Sequence, residues 1–269
     1  MTMDKFYIID KTGKIIAEPK ITSVGTLISC FKEGVAPVEG ETGWGYIDTT
    51  GTFVIKPIFQ NAKQFSNGLA VVRLYYRDGY INKKGEFVID PQFSLAYDFE
   101  DDIALIMCME NNEYRYGYIN KKGEFIIKPK FEEARIFING VARVKEVGKE
   151  WESIDKRGNY ISNKIEHDSC NKDRVTTQQK CLNEDLSPSK KDGKYGYIDR
   201  YGNVIIEHRF EHAYPFHEGL ALVEIDKKYG YINKIGAFVI EPKFDYGCYF
   251  SEGLAIVVIK GDSSYSSIK

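Results

Sequence analysis

Residues Trp44 to Val72 contain the pattern that specifies the fold. It reads Trp44-Gly45-Tyr46-Ile47-Asp48-Thr49-Thr50-Gly51-Thr52-Phe53-Val54-Ile55-Lys56-Pro57-Ile58-Phe59, followed by Ala62, Phe65 and Gly68-Leu69-Ala70-Val71-Val72. The Gly-Tyr-Ile-Asp/Asn string recurs at Gly79, Gly117, Gly196 and Gly230, and diverged copies open at Tyr7 and Glu152. The copies start 34 to 44 residues apart. This period predicts an array of seven repeats over nearly the whole chain.

Each repeat opens with a predicted β-hairpin. The turn Asn120-Lys121-Lys122-Gly123 places an Asx residue first and a glycine last, which is typical of a type I turn followed by a residue at positive φ. β-Branched and aromatic residues flank the turn, as in paired strands. We predict that Pro57, Pro91, Pro129 and Pro242 end the second strand, because proline removes a backbone donor. A packed loop and a third strand such as Leu69-Ala70-Val71-Val72 then complete the repeat.

The predicted fold is therefore all-β, with seven tandem repeats of three short antiparallel strands. A single repeat cannot bury its aromatic face, so neighbouring repeats must stack. We favour an open β-solenoid or superhelix over the alternative, a closed seven-bladed propeller, because the repeats are shorter than a four-stranded blade. The predicted repeats span 6–38, 44–72, 78–106, 116–144, 151–194, 195–223 and 229–257, with a tail at 258–269. The fifth is degenerate and carries a polar insertion at 162–194.

Composition excludes several classes of protein. The chain has 269 residues, is 43% hydrophobic and carries a formal net charge of −2, so its bulk charge does not attract nucleic acid. The longest apolar runs, such as Leu254 to Ile259, are far shorter than the ~20 residues of a bilayer-spanning helix. We expect no leader peptide, because the first five residues lead directly into the first repeat, and the five cysteines are scattered. We therefore expect a cytoplasmic protein with reduced thiols and no membrane partner.

The repeated Trp/Tyr-Gly-Tyr-Ile string, with Gly-x-Phe-Val-Ile-x-Pro-x-Phe and Phe-x-x-Gly-Leu-Ala after it, resembles the WG-containing β-repeat family. This family is mostly bacterial and related to the KWG repeat. The resemblance covers residues 6 to 257 and implies an interaction or scaffold module without common catalytic residues. The sequence departs from the pattern where Asp102 replaces a glycine, where His208 replaces the proline, and where the fifth repeat loses its pattern after Ile161.

Two columns of the repeat are candidate binding residues. One column is aromatic. It consists of the tryptophan or tyrosine just before the repeated glycine and the tyrosine just after it. These side chains are either core with satisfied polar tips or a partly exposed stacking surface. The other is the basic position of the hairpin turn, where lysines either bind a partner or keep the sheet edges soluble. The predicted binding residues are Trp44, Tyr46, Tyr80, Tyr118, Tyr197, Tyr231, Lys83, Lys121 and Lys234.

No catalytic motif, metal site or cofactor is predicted. His208, His212 and His217 are close in sequence, but no carboxylate or cysteine completes a ligand set at fixed spacing. Nucleophile elbows, phosphate-binding loops and zinc-protease motifs are absent from the sequence. The leading hypothesis is a non-enzymatic scaffold that binds another protein. The alternatives are a module that binds a glycan or cell wall through the aromatic ladder and, less favoured, an enzyme with a site at the 162–194 insertion.

Overall fold

The computed structural model describes residues 4–19, 21, 29–100, 102–110, 112–161 and 186–261. These residues contain 26 strands and no helix. The first strands are β1 (Lys5–Asp10), β2 (Ile15–Ala17), β3 (Val35–Gly40), β4 (Gly43–Asp48), β5 (Phe53–Phe59), β6 (Asn61–Ala62), β7 (Ala70–Leu74), β8 (Arg77–Ile81) and β9 (Phe87–Phe93). The next are β10 (Leu95–Ala96), β11 (Ile103–Glu110), β12 (Glu113–Asn120), β13 (Phe125–Phe131), β14 (Glu133–Ala134), β15 (Val141–Lys145), β16 (Glu152–Asp155) and β17 (Tyr160–Ile161). The last are β18 (Leu186–Lys191), β19 (Lys194–Asp199), β20 (Val204–Phe210), β21 (His212–His217), β22 (Leu220–Ile225), β23 (Lys228–Ile232), β24 (Phe238–Phe244), β25 (Tyr246–Gly247) and β26 (Leu254–Ile259).

The strands form small sheets of three or four strands, so the predicted all-β repeat array is confirmed. In the described part of the chain there are seven sheets, and none closes into a barrel. Their strand orders are β3-β4-β5 (sheet 1), β6-β7-β8-β9 (sheet 2), β10-β11-β12-β13 (sheet 3), β14-β15-β16-β17 (sheet 4), β18-β19-β20 (sheet 5), β21-β22-β23-β24 (sheet 6) and β2-β1-β26-β25 (sheet 7).

Of the five four-stranded sheets in the described residues, four combine two consecutive sequence repeats. In sheet 3, β10 and β11 come from the third repeat and β12 and β13 from the fourth. Strands β11 and β12 pair antiparallel from Ile103↔Asn120 to Glu110↔Glu113, so the hairpin of one repeat continues the sheet begun by the repeat before it. Sheet 7 follows the same rule with the two ends of the array: β26 of the last repeat pairs along its full length with β1 of the first.

The position after the Trp/Tyr column requires glycine, because the neighbouring strand forms a bulge directly against it. Tyr116 pairs with Phe131 and Tyr118 pairs with Ile127, so β13 places three residues, centred on Pro129, opposite Gly117. A Cβ atom on Gly117 would lie 2.7 Å from the Pro129 nitrogen and 2.8 Å from the Ile127 oxygen. The repeated glycine and the repeated proline therefore lie opposite each other in one β-bulge.

The prediction that the prolines end the second strand is wrong. Strands β5, β9, β13 and β24 run through Pro57, Pro91, Pro129 and Pro242 to the following phenylalanine. Proline is tolerated there because each of these strands is the last in its sheet order and the proline lies in a bulge. A short strand of the same repeat follows as the first strand of the next sheet, which adds a fourth strand to the three predicted.

The Asx-Gly turns form as predicted and also join adjacent sheets. The Asn120 side-chain oxygen accepts hydrogen bonds from the backbone of Lys122 at 2.9 Å and Glu124 at 3.0 Å. Gly123 adopts φ of 81°, where a side chain would be strained. A Cβ atom here would also lie 3.2 Å from Ile89 of sheet 2, so the turn glycine seats sheet 3 on the preceding sheet.

The phenylalanines that precede the second loop form the core between sheets, as predicted. Phe65, Phe99, Phe137, Phe216 and Phe250 are all buried. Each lies against the ring of a buried tyrosine, with centroid distances of 4.8 to 5.0 Å. Aromatic pairs at this separation stabilise a core beyond their buried area.

The chain divides into two compact units. Unit 1 comprises Met1–Glu41, Ile47–Phe53 and Asn171–Lys269, and unit 2 comprises Thr42–Tyr46 and Val54–Cys170. Part of the predicted polar insertion is regular structure, because Leu186–Lys191 forms β18 and pairs with β19. Residues 162–185 of that insertion and the tail from 262 onward lie outside the described residues.

Candidate functional site

The tyrosines predicted as binding residues lie in the interior. Tyr46, Tyr80, Tyr118, Tyr197 and Tyr231 are 0–1% exposed. Each hydroxyl donates a hydrogen bond of 2.7 or 2.8 Å to the carbonyl oxygen of the residue 17 positions later, namely Lys63, Tyr97, Arg135, Tyr214 and Cys248. Burial raises the pKa of the Tyr118 hydroxyl, which keeps it a neutral donor. This is the core arrangement that the sequence left open, and a buried ring offers no face to a partner.

The remaining predicted residues lie nearer the surface. Trp44 is half-buried on β4, and Lys83 and Lys234 are exposed in hairpin turns. Lys121 forms an ion pair with Asp102 at 2.7 Å, and its hydrogen bond lowers the pKa of that carboxyl. Lys11, at the same turn position, forms an ion pair with Glu218 at 3.0 Å. The basic column is thus partly neutralised by carboxylates of the second loop.

A surface of aromatic rings and cations lies where the buried tyrosines hold the backbone. Within unit 2, the Lys63 ammonium lies 5.1 Å from the centroid of the Tyr97 ring. Tyr97 and Tyr116 both pack against the core cluster that contains Tyr118. The guanidinium carbons of Arg135 and Arg143 lie 5.0 and 5.4 Å from the centroid of the Trp151 ring. We call Lys63, Tyr97, Tyr116, Arg135, Arg143 and Trp151 the aromatic–arginine surface.

Arg143 interrupts a column that is apolar elsewhere. It pairs with Ser153, which occupies the position of the buried tyrosines in sheet 4. In sheets 2, 3 and 6 the residue opposite that tyrosine is Val71, Leu105 or Leu222, and all three are buried. Arg143 is exposed. Sheet 4 therefore has an exposed cation at the position where sheets 2, 3 and 6 have a buried apolar side chain.

The hairpins of unit 2 also expose large side chains at their tips. Tyr75 and Tyr76 form the two-residue turn between β7 and β8, and each is 81% exposed. Both have positive φ, 49° and 62°, a conformation that the corresponding turn of sheet 5 gives to Asp192 and Gly193. The Gln60 side chain supports the turn by accepting a 2.7 Å hydrogen bond from the Tyr76 nitrogen. We call the exposed tip residues Tyr75, Tyr76, Met109, Tyr114 and Val147 the hairpin rim.

The three clustered histidines have separate partners. His208 shares a 2.8 Å hydrogen bond with Ser189, His212 contacts Glu224 at 2.6 Å, and His217 stacks on Tyr249. Among the described residues, no group of three His, Cys, Asp or Glu side chains is placed to hold a metal ion. In the part of the chain that the structure describes, Cys30, Cys108 and Cys248 form no disulfide. Within the described ranges, no helix is long and apolar enough to cross a bilayer.

Comparison with known families agrees with the repeat pattern. The model of the WG containing repeat matches residues 8–39, 44–76, 79–112, 116–151, 195–229 and 229–261. The chain belongs to the WG-containing β-repeat family. No curated protein matches the sequence.

Solved structures similar to this WG-repeat protein share little sequence with it. The computationally designed Ika4 protein is 10% identical with a TM-score of 0.36, and the match covers 53% of this chain and 98% of that one. The extracellular domain of a putative one-component system from B. thetaiotaomicron is 9% identical with a TM-score of 0.36, over 86% of this chain and 40% of that one. The WD40 β-propeller domain of Doa1 is 10% identical with a TM-score of 0.29, over 95% and 84%.

Sequence reasoning missed the column that carries Lys63, Tyr97 and Arg135. These residues precede the buried phenylalanine by two positions, so one periodic signal was available. Their chemistry varies from repeat to repeat, whereas the tyrosine column is nearly constant. The sequence analysis therefore selected the recurring tyrosines as binding residues. These tyrosines are buried and hold the backbone of the variable column.

Proposed function

We propose that this WG-repeat protein is a non-enzymatic scaffold that binds another protein through the hairpin rim and the aromatic–arginine surface of unit 2. Membership of a β-repeat family supports the scaffold part of the proposal, because repeat arrays present extended surfaces. The observation that carries the binding part is the Tyr75–Tyr76 turn. Two large rings are exposed at backbone conformations that favour glycine and asparagine.

The Tyr75–Tyr76 turn costs stability that an Asn-Gly turn would not. A non-glycine residue in the left-handed region costs about 1–3 kcal/mol, and exposed rings recover none of this by burial. Tyrosine, tryptophan and arginine are the residues most enriched among the energetic anchors of protein interfaces. A scaffold that binds through these tips accounts for a turn that folding alone does not favour.

The chemistry of the surface separates this proposal from the glycan alternative. A neutral sugar stacks on open aromatic faces, whereas Trp151 and Tyr97 have cations beside their rings. Interleaved rings and guanidinium groups suit a protein partner with both apolar and charged side chains.

The test is partner capture with a turn variant of the full chain. Tyr75→Asn with Tyr76→Gly restores a favourable turn sequence and removes both rings. We expect crosslinked capture of a partner from native lysate by the wild-type chain and loss of that partner with the double variant. The melting temperature of the variant should be equal or higher, because strain is relieved.

The matched control is Ile235→Lys, which removes an exposed apolar residue from a hairpin turn of unit 1. Lysine already occupies this turn position as Lys84 and Lys122. The control should capture the partner as the wild type does. Equal capture by the wild type and the Tyr75/Tyr76 variant would contradict the proposal.

A further inference from the structure

Two guanidinium groups converge on one indole ring in sheet 4. Arg135 and Arg143 lie 5.0 and 5.4 Å from Trp151, and both arginines are exposed. Their backbones are joined by a 2.8 Å hydrogen bond from the Arg135 nitrogen to the Arg143 oxygen. The Tyr118 hydroxyl holds the Arg135 carbonyl at 2.7 Å. The two side chains therefore project from a fixed backbone beside a shared ring.

Nearby carboxylates are engaged by lysines rather than by these arginines. Lys145 pairs with Glu133 at 3.3 Å and with Glu132 at 3.8 Å. Lys130 and Lys149 pair with Glu146 at 3.1 and 2.6 Å. In the described part of the chain, neither Arg135 nor Arg143 forms an ion pair.

The arginines thus keep donors that the fold does not use. A guanidinium carries five N–H donors in a fixed fork that matches the two oxygens of a carboxylate. Stacking on Trp151 orients that fork, and an oriented side chain loses less entropy on binding. Tyr116, Tyr97 and Lys63 extend the same surface with rings and a third cation.

We infer that Arg135, Arg143 and Trp151 form a docking site for an acidic peptide segment of the partner, with carboxylates on the two arginines that the Trp151 ring orients. This inference rests on the proposed function and specifies the chemistry of the partner. Charge complementarity selects the occupant, because paired guanidinium groups need anions. A nucleic acid carries a charge at every phosphate, so a chain with a formal net charge of −2 disfavours it more than a short acidic peptide.

The experiment measures peptide binding by the full-length protein. The probe is a fluorescein-labelled peptide of alternating glutamate and tyrosine, followed by fluorescence anisotropy at low and at physiological salt. We expect saturable binding that weakens as salt is raised. Arg135→Gln with Arg143→Gln should weaken it at least ~10-fold, since fully formed charge pairs are lost. The lysine pair Arg135→Lys with Arg143→Lys should lie between, because it keeps charge and loses the fork.

The matched control is Lys128→Gln with Arg157→Gln, two exposed cations, one on β13 and the other in the turn between β16 and β17. This pair changes the net charge by the same amount and should leave affinity within ~2-fold of the wild type. Circular dichroism and thermal melting establish that each variant is folded.

Three results would overturn the inference: no binding of the acidic peptide, equal loss in the glutamine pair and the control, or tighter arginine-dependent binding of polyuridine RNA or heparin. The first two would reject the acidic site, and the third would identify a general polyanion site. None of them decides the capture test on Tyr75 and Tyr76, so failure of this inference is distinguishable from failure of the proposed function.

Discussion

The Tyr118 hydroxyl donates a 2.7 Å hydrogen bond to the carbonyl oxygen of Arg135, and so joins the column of buried tyrosines to the aromatic–arginine surface. The ring packs against Phe137 at 4.9 Å, while the Arg135 side chain reaches Trp151. One residue of the repeat thus packs in the core, and the residue 17 positions later exposes its side chain to solvent. This division accounts for a tyrosine column that recurs in five of the seven repeats, while the column of Lys63, Tyr97 and Arg135 is variable.

Tyr118→Phe tests this division. The substitution keeps the ring and leaves the Arg135 carbonyl without its donor, so we expect the free energy of unfolding to fall by about 1–3 kcal/mol. Urea denaturation of the wild type and the variant measures the difference. An unchanged free energy would show that the Arg135 carbonyl is satisfied without Tyr118.

Phe137→Ala tests the packing of the phenylalanine column. Phe137 is 5% exposed and lies in the core cluster with Tyr118, so the cavity should cost about 3–5 kcal/mol. Its neighbour Ile138 is 51% exposed and supplies the matched control. Ile138→Ala should change stability by less than about 0.5 kcal/mol. Similar losses for the two variants in thermal melting would contradict this assignment of core and surface.

The repeat architecture was predictable because the residues that specify it recur. Glycine after an Asx turn, glycine before the buried tyrosine and phenylalanine before the second loop each satisfy one local requirement. The pairing of these elements into sheets was not predictable. The sequence period begins at the hairpin, whereas each four-stranded sheet begins at the short strand before it, such as β10 in sheet 3. A periodic pattern does not show at which residue each sheet begins. The sequence analysis therefore placed all strands of one repeat in one sheet.

Proline shows a second limit of sequence reasoning. The rule that proline removes a ladder hydrogen bond is correct, but its consequence depends on strand position. Pro129 lies in the last strand of its sheet, opposite Gly117, where the bulge leaves no pairing to lose. The sequence analysis did not single out Tyr75 and Tyr76, because polar residues and glycine are the usual choice for such turns.

Gly117→Ala tests the bulge. The added methyl group would meet the backbone of Pro129 and Ile127 at distances below 3.0 Å, and backbone atoms cannot move aside as side chains do. We expect a loss of more than about 2 kcal/mol, as for overpacking of a rigid site. Chemical denaturation measures it. A variant as stable as the wild type would show that β12 and β13 separate easily at the bulge.

Glu146→Gln tests an electrostatic hub in unit 2. Hydrogen bonds from Lys149, Tyr160 and Lys130 lower the pKa of Glu146 to about 2, below its ordinary value of 4.5. A carboxyl with a lowered folded-state pKa contributes stability above its unfolded pKa and loses it as pH falls toward the folded value. Wild-type stability should therefore decline between about pH 4.5 and 2 by an increment that the variant lacks. Because the pairs lie near the surface, the increment should be no more than about 1 kcal/mol. Parallel declines of both proteins over this range would reject the assignment.

Removal of residues 1–17 tests the pairing between the two ends of the array. Strand β1 pairs with β26 from Lys5↔Ile259 to Asp10↔Leu254, and it buries Ile8 and Ile9 in the cluster that contains Ile256. Without β1, strand β26 would present an open edge of main-chain donors and acceptors, which promotes association between chains. We expect a lower melting temperature and concentration-dependent oligomers in size-exclusion chromatography. A synthetic peptide of residues 4–19 should restore the monomer and the melting temperature, whereas a scrambled peptide of the same composition should not. A truncated chain that melts like the wild type and stays monomeric would show that β26 does not depend on β1.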